Sequence, residues 1–342
     1  MPNSKVTAVL PCYNHEPYLR QRINSILAQT HPVDEIIFLD DASTDQSLSV
    51  ARQLLAQSDV RTIFCPNASN SCSPFAQWNK GIELASNDLI WIAESDDSCS
   101  PSLIEVLYSR LSSDQSVLSF SQSLLIDSND RQISSVRDYY MIHWPSVFDH
   151  DFCMDGQLFI KAYMSRLNAV PNASAVLFRR DAFLRAGKAN PRMRFCGDWD
   201  AWVRLAGQGR VSFVAQELNF FRCHSQTTRA ETPGTQQASE QLYCRFRASA
   251  SALGSFDDTQ YKSLHRTDLL RLAFSAPYVA DIKSSVAFAL AEIPLGRFIA
   301  LVRSYKGLGD DLQPRSHDWI ILFILRLSIE FKRRLRLLTI TT

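Results

Sequence analysis

In the first two thirds of the chain, short apolar runs rich in β-branched residues alternate with longer segments of helical period. This alternation is typical of βαβ units, in which helices join the strands of a largely parallel sheet and pack on its faces. The pattern predicts strands and helices in turn at residues 6–11, 18–29, 35–39, 47–57, 60–65, 75–85 and 89–93. We therefore predict an α/β fold for this part of the chain.

The pattern changes twice further along. From residue 117 to 155 it is mixed, with strands predicted at 117–121 and 124–133 before an irregular aromatic stretch. The α/β pattern then resumes, with predicted elements at 175–178, 181–186, 198–206, 211–214 and 218–221. Beyond residue 231 the strand pattern stops and segments of helical period follow. We predict an α/β domain over residues 1–230 and an all-helical C-terminal extension over 231–342.

Acidic side chains follow two of the predicted strands. The strand at 89–93 ends directly on Glu94-Ser95-Asp96-Asp97, and the strand at 35–39 ends on Asp40 and Asp41. Ligands of open α/β sheets bind beyond the carboxyl ends of the strands, so we expect the two clusters to share one crevice. Carboxylates suit a hard cation such as Mg²⁺ or Mn²⁺, which completes its shell with phosphate and water.

Each cluster also has a structural interpretation. A solvated turn before a helix explains the run at 94–97 equally well. A capped turn between strand and helix explains residues 40–45, because Ser43 and Thr44 are good helix-capping residues. By themselves, the two clusters leave both interpretations open.

Composition and charge exclude several classes of protein. With 36 basic and 35 acidic residues, the formal charge of +1 argues against a protein that holds nucleic acid through its overall positive field. The eight cysteines lack a CxxC pair or zinc-ligand spacing, which favours free thiols in a reducing compartment. No glycine-rich phosphate loop follows the first strand, which argues against a nucleotidyltransferase and a Rossmann dehydrogenase.

Several short motifs between residues 5 and 229 belong together. In chain order they are Pro11-Cys12-Tyr13-Asn14, Ser25-Ile26-Leu27-Ala28-Gln29-Thr30, Asp40-Asp41-Ala42-Ser43-Thr44-Asp45, Trp78-Asn79-Lys80-Gly81-Ile82, Trp91-Ile92-Ala93-Glu94-Ser95-Asp96-Asp97 and Gly197-Asp198-Trp199-Asp200-Ala201-Trp202-Val203-Arg204-Leu205. Their order and spacing resemble the family 2 glycosyltransferases, which have a GT-A fold. The resemblance implies an inverting enzyme that moves a sugar from a nucleotide-sugar donor, most often a UDP-sugar, to a hydroxyl acceptor.

The resemblance also assigns regions and residues. It implies a nucleotide-binding half at about 1–120, an acceptor half at about 121–230, and a saccharide or lipid-linked saccharide as acceptor in surface polysaccharide or other glycan synthesis. The residues that it places at the donor nucleotide are Pro11, Tyr13, Asn14, Asp41, Asn79 and Asp96.

The resemblance implies a Mn²⁺ or Mg²⁺ cofactor at the acidic run. Asp96 and Asp97 match the metal and diphosphate motif often written DXD, and Glu94 stands where its first aspartate often lies. His224 and Arg222 stand where the family often shows Arg-x-His, so His224 is a further candidate ligand. Arg222 is a candidate for pairing with phosphate or with a helix end.

Asp198 matches the general base of the family. An acceptor hydroxyl is a poor nucleophile until a positioned carboxylate takes its proton, so the reaction needs such a group. The structural alternative for Asp198 is a helix N-cap. Trp199 beside it is a candidate for stacking on a sugar, with core packing as the alternative.

The two ends of the chain bear on location and on a rival function. No signal peptide precedes the first strand, so we expect a cytoplasmic protein. The apolar and basic segment at about 316–338 is too short to span a bilayer. It fits either a packed helix or one lying on the inner face of the membrane. The rival function is a catalytically inactive nucleotide-sugar-binding scaffold.

Overall fold

The first half of the chain folds as alternating strands and helices. The computed structural model describes residues 4–224 and 232–252. In chain order, its first elements are β1 (Val6–Cys12), α1 (Glu16–Leu27), β2 (Glu35–Asp40), α2 (Ser47–Leu55), β3 (Arg61–Phe64), α3 (Pro74–Leu84) and β4 (Leu89–Ile92). The predicted α/β alternation is confirmed for all seven.

The second half adds shorter elements around one long strand. They are β5 (Ser98–Cys99), α4 (Leu103–Ser113), β6 (Leu118–Ile126), β7 (Gln132–Ser135), α5 (Val136–His143), β8 (Phe152–Asp155), α6 (Gly156–Phe159), β9 (Val176–Arg179), α7 (Arg180–Arg185), α8 (Gly197–Ala206) and β10 (Arg210–Arg222). A π-helical turn at Ile160–Met164 and a 3₁₀ turn at Ala173–Ala175 precede β9. Helix α9 (Gly234–Ala252) ends the described residues.

One mixed sheet organises the described strands. Its order is β3-β2-β1-β4-β9-β6-β10-β5, with β7 on β6 and β8 on β10. Strands β3, β2, β1 and β4 are mutually parallel, and β9 is antiparallel to both of its neighbours. Because β1, β2 and β4 run in the same direction, their carboxyl ends meet at one edge, where the predicted crevice lies.

Helices cover both faces of the parallel part of the sheet, which explains why β1, β2 and β4 are apolar along their whole length. On one face, Leu19 and Ile23 of α1 and Leu107 of α4 join a cluster with alternate residues of the strands. On the other face, α3 packs so closely that Gly81 lies against Val9. The fold is therefore the expected α/β arrangement of a sheet between helices.

Three predictions in the second half needed correction. The strands predicted at 117–121 and 124–133 form the single strand β6 and part of β7. The two strands predicted at 211–214 and 218–221 are one strand, β10, whose register shifts twice between Val214 and Asn219. Polar residues at such bulges interrupt the apolar run without ending the strand. Part of the irregular aromatic stretch is α5, which begins with a capping box formed by Ser135 and Asp138.

The chain divides into two compact units. The first contains residues 1–159 and 168–232, and the second contains 160–167 and 233–342. In the second unit, α9 confirms a helix near the start of the predicted extension. The other predicted helices of the extension, including the apolar and basic one at about 316–338, lie outside the described residues. Within residues 4–224 and 232–252, no helix is long and apolar enough to cross a membrane.

Candidate active site

The acidic run leaves the sheet at the end of β4, and its last carboxylate is locked in place. Asp97 is only 1% exposed. Its Oδ1 accepts a hydrogen bond from the backbone N–H of Arg222 at 2.9 Å, and its Oδ2 accepts one from Nδ2 of Asn172 at 3.0 Å. These bonds favour a structural role, in which Asp97 joins the end of β10 to the run. Its assignment as a metal ligand stays a prediction.

Asp96 lies beside two histidines. Its Oδ2 is 3.1 Å from Nε2 of His224, at the end of β10. Asp96, His224 and His15 each offer one ligand atom, and these three atoms lie within 4.8 Å of one another. Among the described residues, this group could hold a metal ion. The structure therefore brings Asp96 and His224 together as the sequence predicted, and it adds His15.

The loops after β1 and β2 are tied to each other by Asn14. Its backbone N–H donates to Oγ of Ser43 at 3.0 Å, and its Oδ1 accepts from the backbone N–H of Thr44 at 2.7 Å. Asn14 adopts a left-handed backbone conformation with φ of 54°, which asparagine tolerates better than most residues. The contacts of Asn14 within the protein therefore indicate that it shapes the edge of the sheet at which the nucleotide is predicted to bind.

Asp41 is held by four hydrogen bonds, three from the segment between β3 and α3 and one from α3 itself. Its Oδ1 accepts from Nδ2 of Asn67, the backbone N–H of Ser71 and Nε2 of Gln77, and its Oδ2 accepts from Oγ of Ser71. A carboxylate has about four lone-pair sites, so these bonds use most of its capacity. Contact between Asp41 and a base stays a prediction, and its present contacts shape the wall around the nucleotide site.

A cavity of about 370 Å³ opens between these loops. Its lining includes Pro11, Tyr13 and Asp41 from the predicted nucleotide edge, together with His15 and Glu94. This volume lies within the range of small-molecule sites. Since His15 belongs both to this cavity and to the group around Asp96, the cavity adjoins the candidate metal site.

Glu94 faces this cavity with a weakly acidic carboxyl group. Its Oε1 accepts a hydrogen bond from Nε1 of Trp78 at 2.8 Å. Burial first, and then the nearby carboxylate of Asp96, raises the pKa of Glu94 to about 8. Burial and Asp96 likewise raise the pKa of Asp97, whereas for Asp96 burial is outweighed by the His224 hydrogen bond together with the charges of His15 and His224, which lower its pKa. Asp96 is therefore the most acidic of the three carboxyl groups of the run.

Arg222 contacts the acidic run and is itself 1% exposed. Its Nε donates to the backbone carbonyl of Asp96 at 2.7 Å, and its other nitrogens donate to Gln21, Asp127 and Asp130. Its guanidinium also lies over a tyrosine ring of α1. All of these contacts are within the protein, so they support neither phosphate nor a helix end as the partner of Arg222.

Asp198 is the second residue of α8, and the N-cap of that helix is Cys196. The alternative role of Asp198 as an N-cap is therefore not what the structure shows. Nδ2 of Asn168 donates to Oδ2 of Asp198 at 2.9 Å, and Oδ1 of Asn168 accepts from the backbone N–H of Val170 at 3.1 Å. Asn168 thus orients the carboxylate of Asp198.

Tryptophans connect α8 to the acidic run. Trp202 of α8 packs against Trp78 with 5.8 Å between ring centroids, and Trp78 is the donor to Glu94. Trp199 is 3% exposed, which favours core packing over stacking on a sugar. Asn79 does not line the cavity, because its side-chain amide pairs on both sides with the backbone of Ala189. Its assignment to the nucleotide has no support from these contacts.

The structure adds three residues that the sequence analysis missed. His15 joins Asp96 and His224, Arg194 lines the cavity, and Asn168 contacts Asp198. The signal for His15 was present, since it directly follows the motif Pro11-Cys12-Tyr13-Asn14. Arg194 and Asn168 lie in segments without regular period, where spacing carries little information.

Residues 7–185 match the family model described as glycosyl transferase family 2. The chain belongs to this glycosyltransferase family. An uncharacterized glycosyltransferase of Nostoc sp. is 25% identical over 225 residues, which are 64% of this chain and 65% of the relative. The chain thus spans slightly less than two thirds of the length of that relative.

Solved structures show the same fold in other glycosyltransferases. S. aureus TarS 1–349 in complex with UDP-GlcNAc has a TM-score of 0.63 and 12% identity, covering 88% of this chain and 89% of that one. The mannosyltransferase PcManGT from Pyrobaculum calidifontis, in complex with GDP-Man and Mn²⁺, has a TM-score of 0.50 and 16% identity, covering 96% and 87%. These similarities establish the GT-A fold of this family 2 glycosyltransferase.

The residues at the candidate metal site fit a divalent cation. Asp96 provides a charged oxygen, which suits Mn²⁺, and His15 and His224 provide imidazole nitrogens, which suit the later first-row divalent metals. Burial first, and then the charges of Asp96 and Asp97, raise the pKa of Glu94, and a positive ion nearby would offset the repulsion between these carboxyl groups. In this family 2 glycosyltransferase, the fit of the site to a divalent cation thus depends on both the type of ligand atoms and the local negative charge.

Proposed function

We propose that this protein transfers a sugar from a nucleoside-diphosphate sugar, with UDP favoured, to a hydroxyl group, inverting the anomeric centre. The observation that carries the proposal is the cavity that runs from Tyr13 and Asp41 to His15 of the candidate metal site. A nucleoside requires a polar, partly aromatic crevice, and its diphosphate requires positive charge at one end. The cavity lining includes both kinds of group that such a donor requires.

The nucleoside end of the cavity combines an exposed aromatic ring with a rigid wall. Tyr13 is 45% exposed, so its ring is accessible to a base. Asp41 and its four hydrogen bonds fix the opposite loop, which limits the entropy lost when a nucleoside binds. Arg194 supplies a positive charge at the cavity wall. These features support a nucleotide donor, and the TarS complex supports UDP.

Asp198 acts as the general base in this proposal. The acceptor hydroxyl gives its proton to the carboxylate of Asp198, and its oxygen forms the new bond to the anomeric carbon. The bond between the anomeric carbon and the diphosphate oxygen breaks, and its electrons leave with the nucleoside diphosphate. Asn168 keeps the carboxylate in one orientation, which raises the fraction of encounters with correct geometry.

Asp96 and His224 would hold a divalent cation, and the PcManGT complex supports Mn²⁺. Bound there, the ion would supply Lewis-acid stabilisation of the departing diphosphate. Glu94 lies beside this group and lines the cavity with its carboxyl group fixed by a hydrogen bond from Trp78, so we propose that it contacts the donor.

A panel of nucleotide sugars with MnCl₂ tests the donor. UDP-GlcNAc, UDP-glucose, dTDP-glucose and GDP-mannose are compared by thermal shift and by slow hydrolysis of the donor, since a ligand that binds the folded state raises the melting temperature. We expect a UDP-sugar to stabilise the protein and to be hydrolysed. Stabilisation without hydrolysis or transfer to any saccharide acceptor would support the inactive scaffold instead.

A pair of matched variants tests the base. We expect Asp198→Asn to lower hydrolysis and transfer at least about a thousandfold without loss of donor binding, because proton transfer contributes about 10²–10⁴ in rate. Asp181→Asn is the control, since Asp181 is also the second residue of a helix but is exposed. Equal activity in the two variants would remove Asp198 from its role.

For the acceptor we propose a saccharide or lipid-linked saccharide of surface polysaccharide on the cytoplasmic side of the membrane. Peripheral membrane contact through residues 316–338 rests on their sequence alone, where Lys332, Arg333 and Arg334 follow an apolar run. Co-sedimentation of the full chain with anionic vesicles tests this contact. A triple Lys332→Glu, Arg333→Glu, Arg334→Glu variant that sediments as well as the natural chain would exclude binding through the basic residues.

A further inference from the structure

His15 occupies a position where its side chain would normally serve its own helix. It is the N-cap of α1, but its side chain makes no capping hydrogen bond. Serine, threonine, aspartate and asparagine are preferred at N-caps, where they stabilise a helix by about 1 kcal/mol. The capping function is supplied from another loop, because Oδ2 of Asp45 accepts from the backbone N–H of Glu16. The imidazole is therefore available for a different purpose.

The imidazole of His15 is turned toward the acidic run and fixed there. Its Nδ1 lies 2.7 Å from Oγ of Ser95, and its backbone N–H donates to Oγ of Ser47 at 3.1 Å. Its ring lies 5.7 Å from the ring of His224 at an angle of 82°. When Nδ1–H donates to Ser95, Nε2 keeps its lone pair, which is the tautomer that a metal-binding histidine needs.

We propose that His15 is a direct protein ligand of the divalent cation, together with Asp96 and His224, and that this site selects Mn²⁺, Co²⁺ or Zn²⁺ over Mg²⁺. The inference deepens the proposed function, on which it rests for the role of the ion. Two nitrogens and one carboxylate oxygen form the set whose ligand atoms lie within 4.8 Å of one another.

The donor chemistry gives the selectivity. Mg²⁺ is small and hard, keeps much of its water and prefers oxygen ligands, whereas imidazole suits the later divalent metals. With a single histidine beside carboxylates, a site would accept either class of ion. With His15, two of the three ligand atoms are nitrogen, so the binding affinity increases mainly for the ions that bind imidazole well. His15 thus determines which ion the site takes.

Metal binding without nucleotide tests the proposal independently of activity. The full chain, freed of metal with EDTA, is titrated with MnCl₂ and the free Mn²⁺ is followed by electron paramagnetic resonance, with MgCl₂ as competitor. We expect His15→Gln to weaken Mn²⁺ binding at least about tenfold and to reduce the preference for Mn²⁺ over Mg²⁺. His150→Gln, at an exposed position outside the cluster, should bind Mn²⁺ as the natural chain does.

A measurement on the natural chain removes the risk that His15→Gln misfolds. Electron spin-echo modulation of bound Mn²⁺ should show two histidine nitrogens, and the folded variant should show one. One nitrogen in the natural chain, or unchanged affinity in His15→Gln, would overturn the role of His15. Equal affinity for Mg²⁺ and Mn²⁺ would overturn the selectivity. Hydrolysis of the donor UDP-GlcNAc is measured separately. A result that overturns the role of His15 therefore does not overturn the proposal that the protein is a transferase.

Discussion

At the scale of single residues, buried polar side chains hold the candidate site together. Arg222 donates to the backbone carbonyls of Asp96 and Asp127, and its backbone N–H donates to Asp97. A buried guanidinium is stabilising only when its hydrogen-bonding capacity is used, and removal of one partner leaves the others unpaired in a region that water does not reach. Substitution of Arg222 therefore tests how much its hydrogen bonds to the acidic run stabilise the protein.

We predict that Arg222→Met lowers the free energy of unfolding by about 3 kcal/mol, because the backbone carbonyls of Asp96 and Asp127 lose their donors. Urea denaturation followed by circular dichroism measures this change. Arg185→Met is the control, since Arg185 forms an exposed ion pair with Asp181 and should cost less than about 1 kcal/mol. Similar unfolding midpoints for the two variants would show that the contacts of Arg222 are not essential to the fold.

Asn168 gives a second prediction, which concerns rate. Without its donor to Oδ2, the carboxylate of Asp198 samples unproductive rotamers, so Asn168→Ala should lower the rate of donor hydrolysis about 10- to 100-fold with unchanged donor affinity. Asn129→Ala, at an exposed position in a turn, is the control. In an Asp198→Asn background the Asn168 substitution should have no further effect. A full additional loss there would mean that Asn168 acts independently of Asp198.

At the scale of elements, the close approach of α3 to the sheet positions Trp78 beside Glu94. A Cβ atom at Gly81 would come within 2.4 Å of Cγ1 of Val9 and 2.8 Å of Cδ1 of Leu39. Both partners are fully buried, so neither side chain can move into free space. The glycine in this motif is therefore required by packing and not by backbone conformation.

Gly81→Ala should destabilise the protein by about 1–3 kcal/mol, although alanine favours helix more than glycine does, because overpacking outweighs helix propensity. Thermal unfolding and the fluorescence of Trp78 report the change. Gly207→Ala is the matched control, since a Cβ there meets nothing closer than 3.4 Å and the backbone is helical. Stability gained at both positions would contradict the packing argument.

At the scale of the whole molecule, Glu35 joins three parts of the sheet. Its carboxylate accepts from Thr7 of β1, from Ser86 before β4 and from Arg61 of β3. Burial alone would raise the pKa of Glu35, but the hydrogen bonds from Ser86 and Thr7, with the charge of Arg61, lower the pKa below its ordinary value. The ionised form therefore stabilises the folded state.

This shift predicts how stability changes with pH. A carboxyl group whose pKa is lowered on folding stabilises the protein above its unfolded pKa, and this stability is lost as the pH falls through the folded value. Glu35→Gln should cost about 1–3 kcal/mol at pH 7 and less as the pH approaches 4, measured by urea unfolding across this range. Glu83→Gln, at an exposed ion pair, should show little change. A cost for Glu35→Gln that does not change with pH would exclude the charge effect.

Much of the architecture follows from local pattern. The alternation of apolar runs predicted β1 to β4 and their helices, because the period of the apolar residues reports directly on strand or helix. Bulged β10 and the aromatic helix α5 were not predicted correctly, since packing and capping decide them. Within the candidate site, the motifs predicted roles for Asp96, His224 and Asp198 that stay predictions, whereas Asn79, Trp199 and Arg222 have contacts that favour structural roles.

The sequence by itself determined the family, the parallel edge and the residue types gathered there, because each depends on order and spacing along the chain. Only the tertiary structure decided which carboxylate of the acidic run meets which partner. Asp96 and His224 are 128 residues apart in sequence, and His15 and Ser95 are 80 apart. Such contacts depend on how strands and loops pack, so spacing does not reveal that Asp97 is held inside while Asp96 faces two histidines.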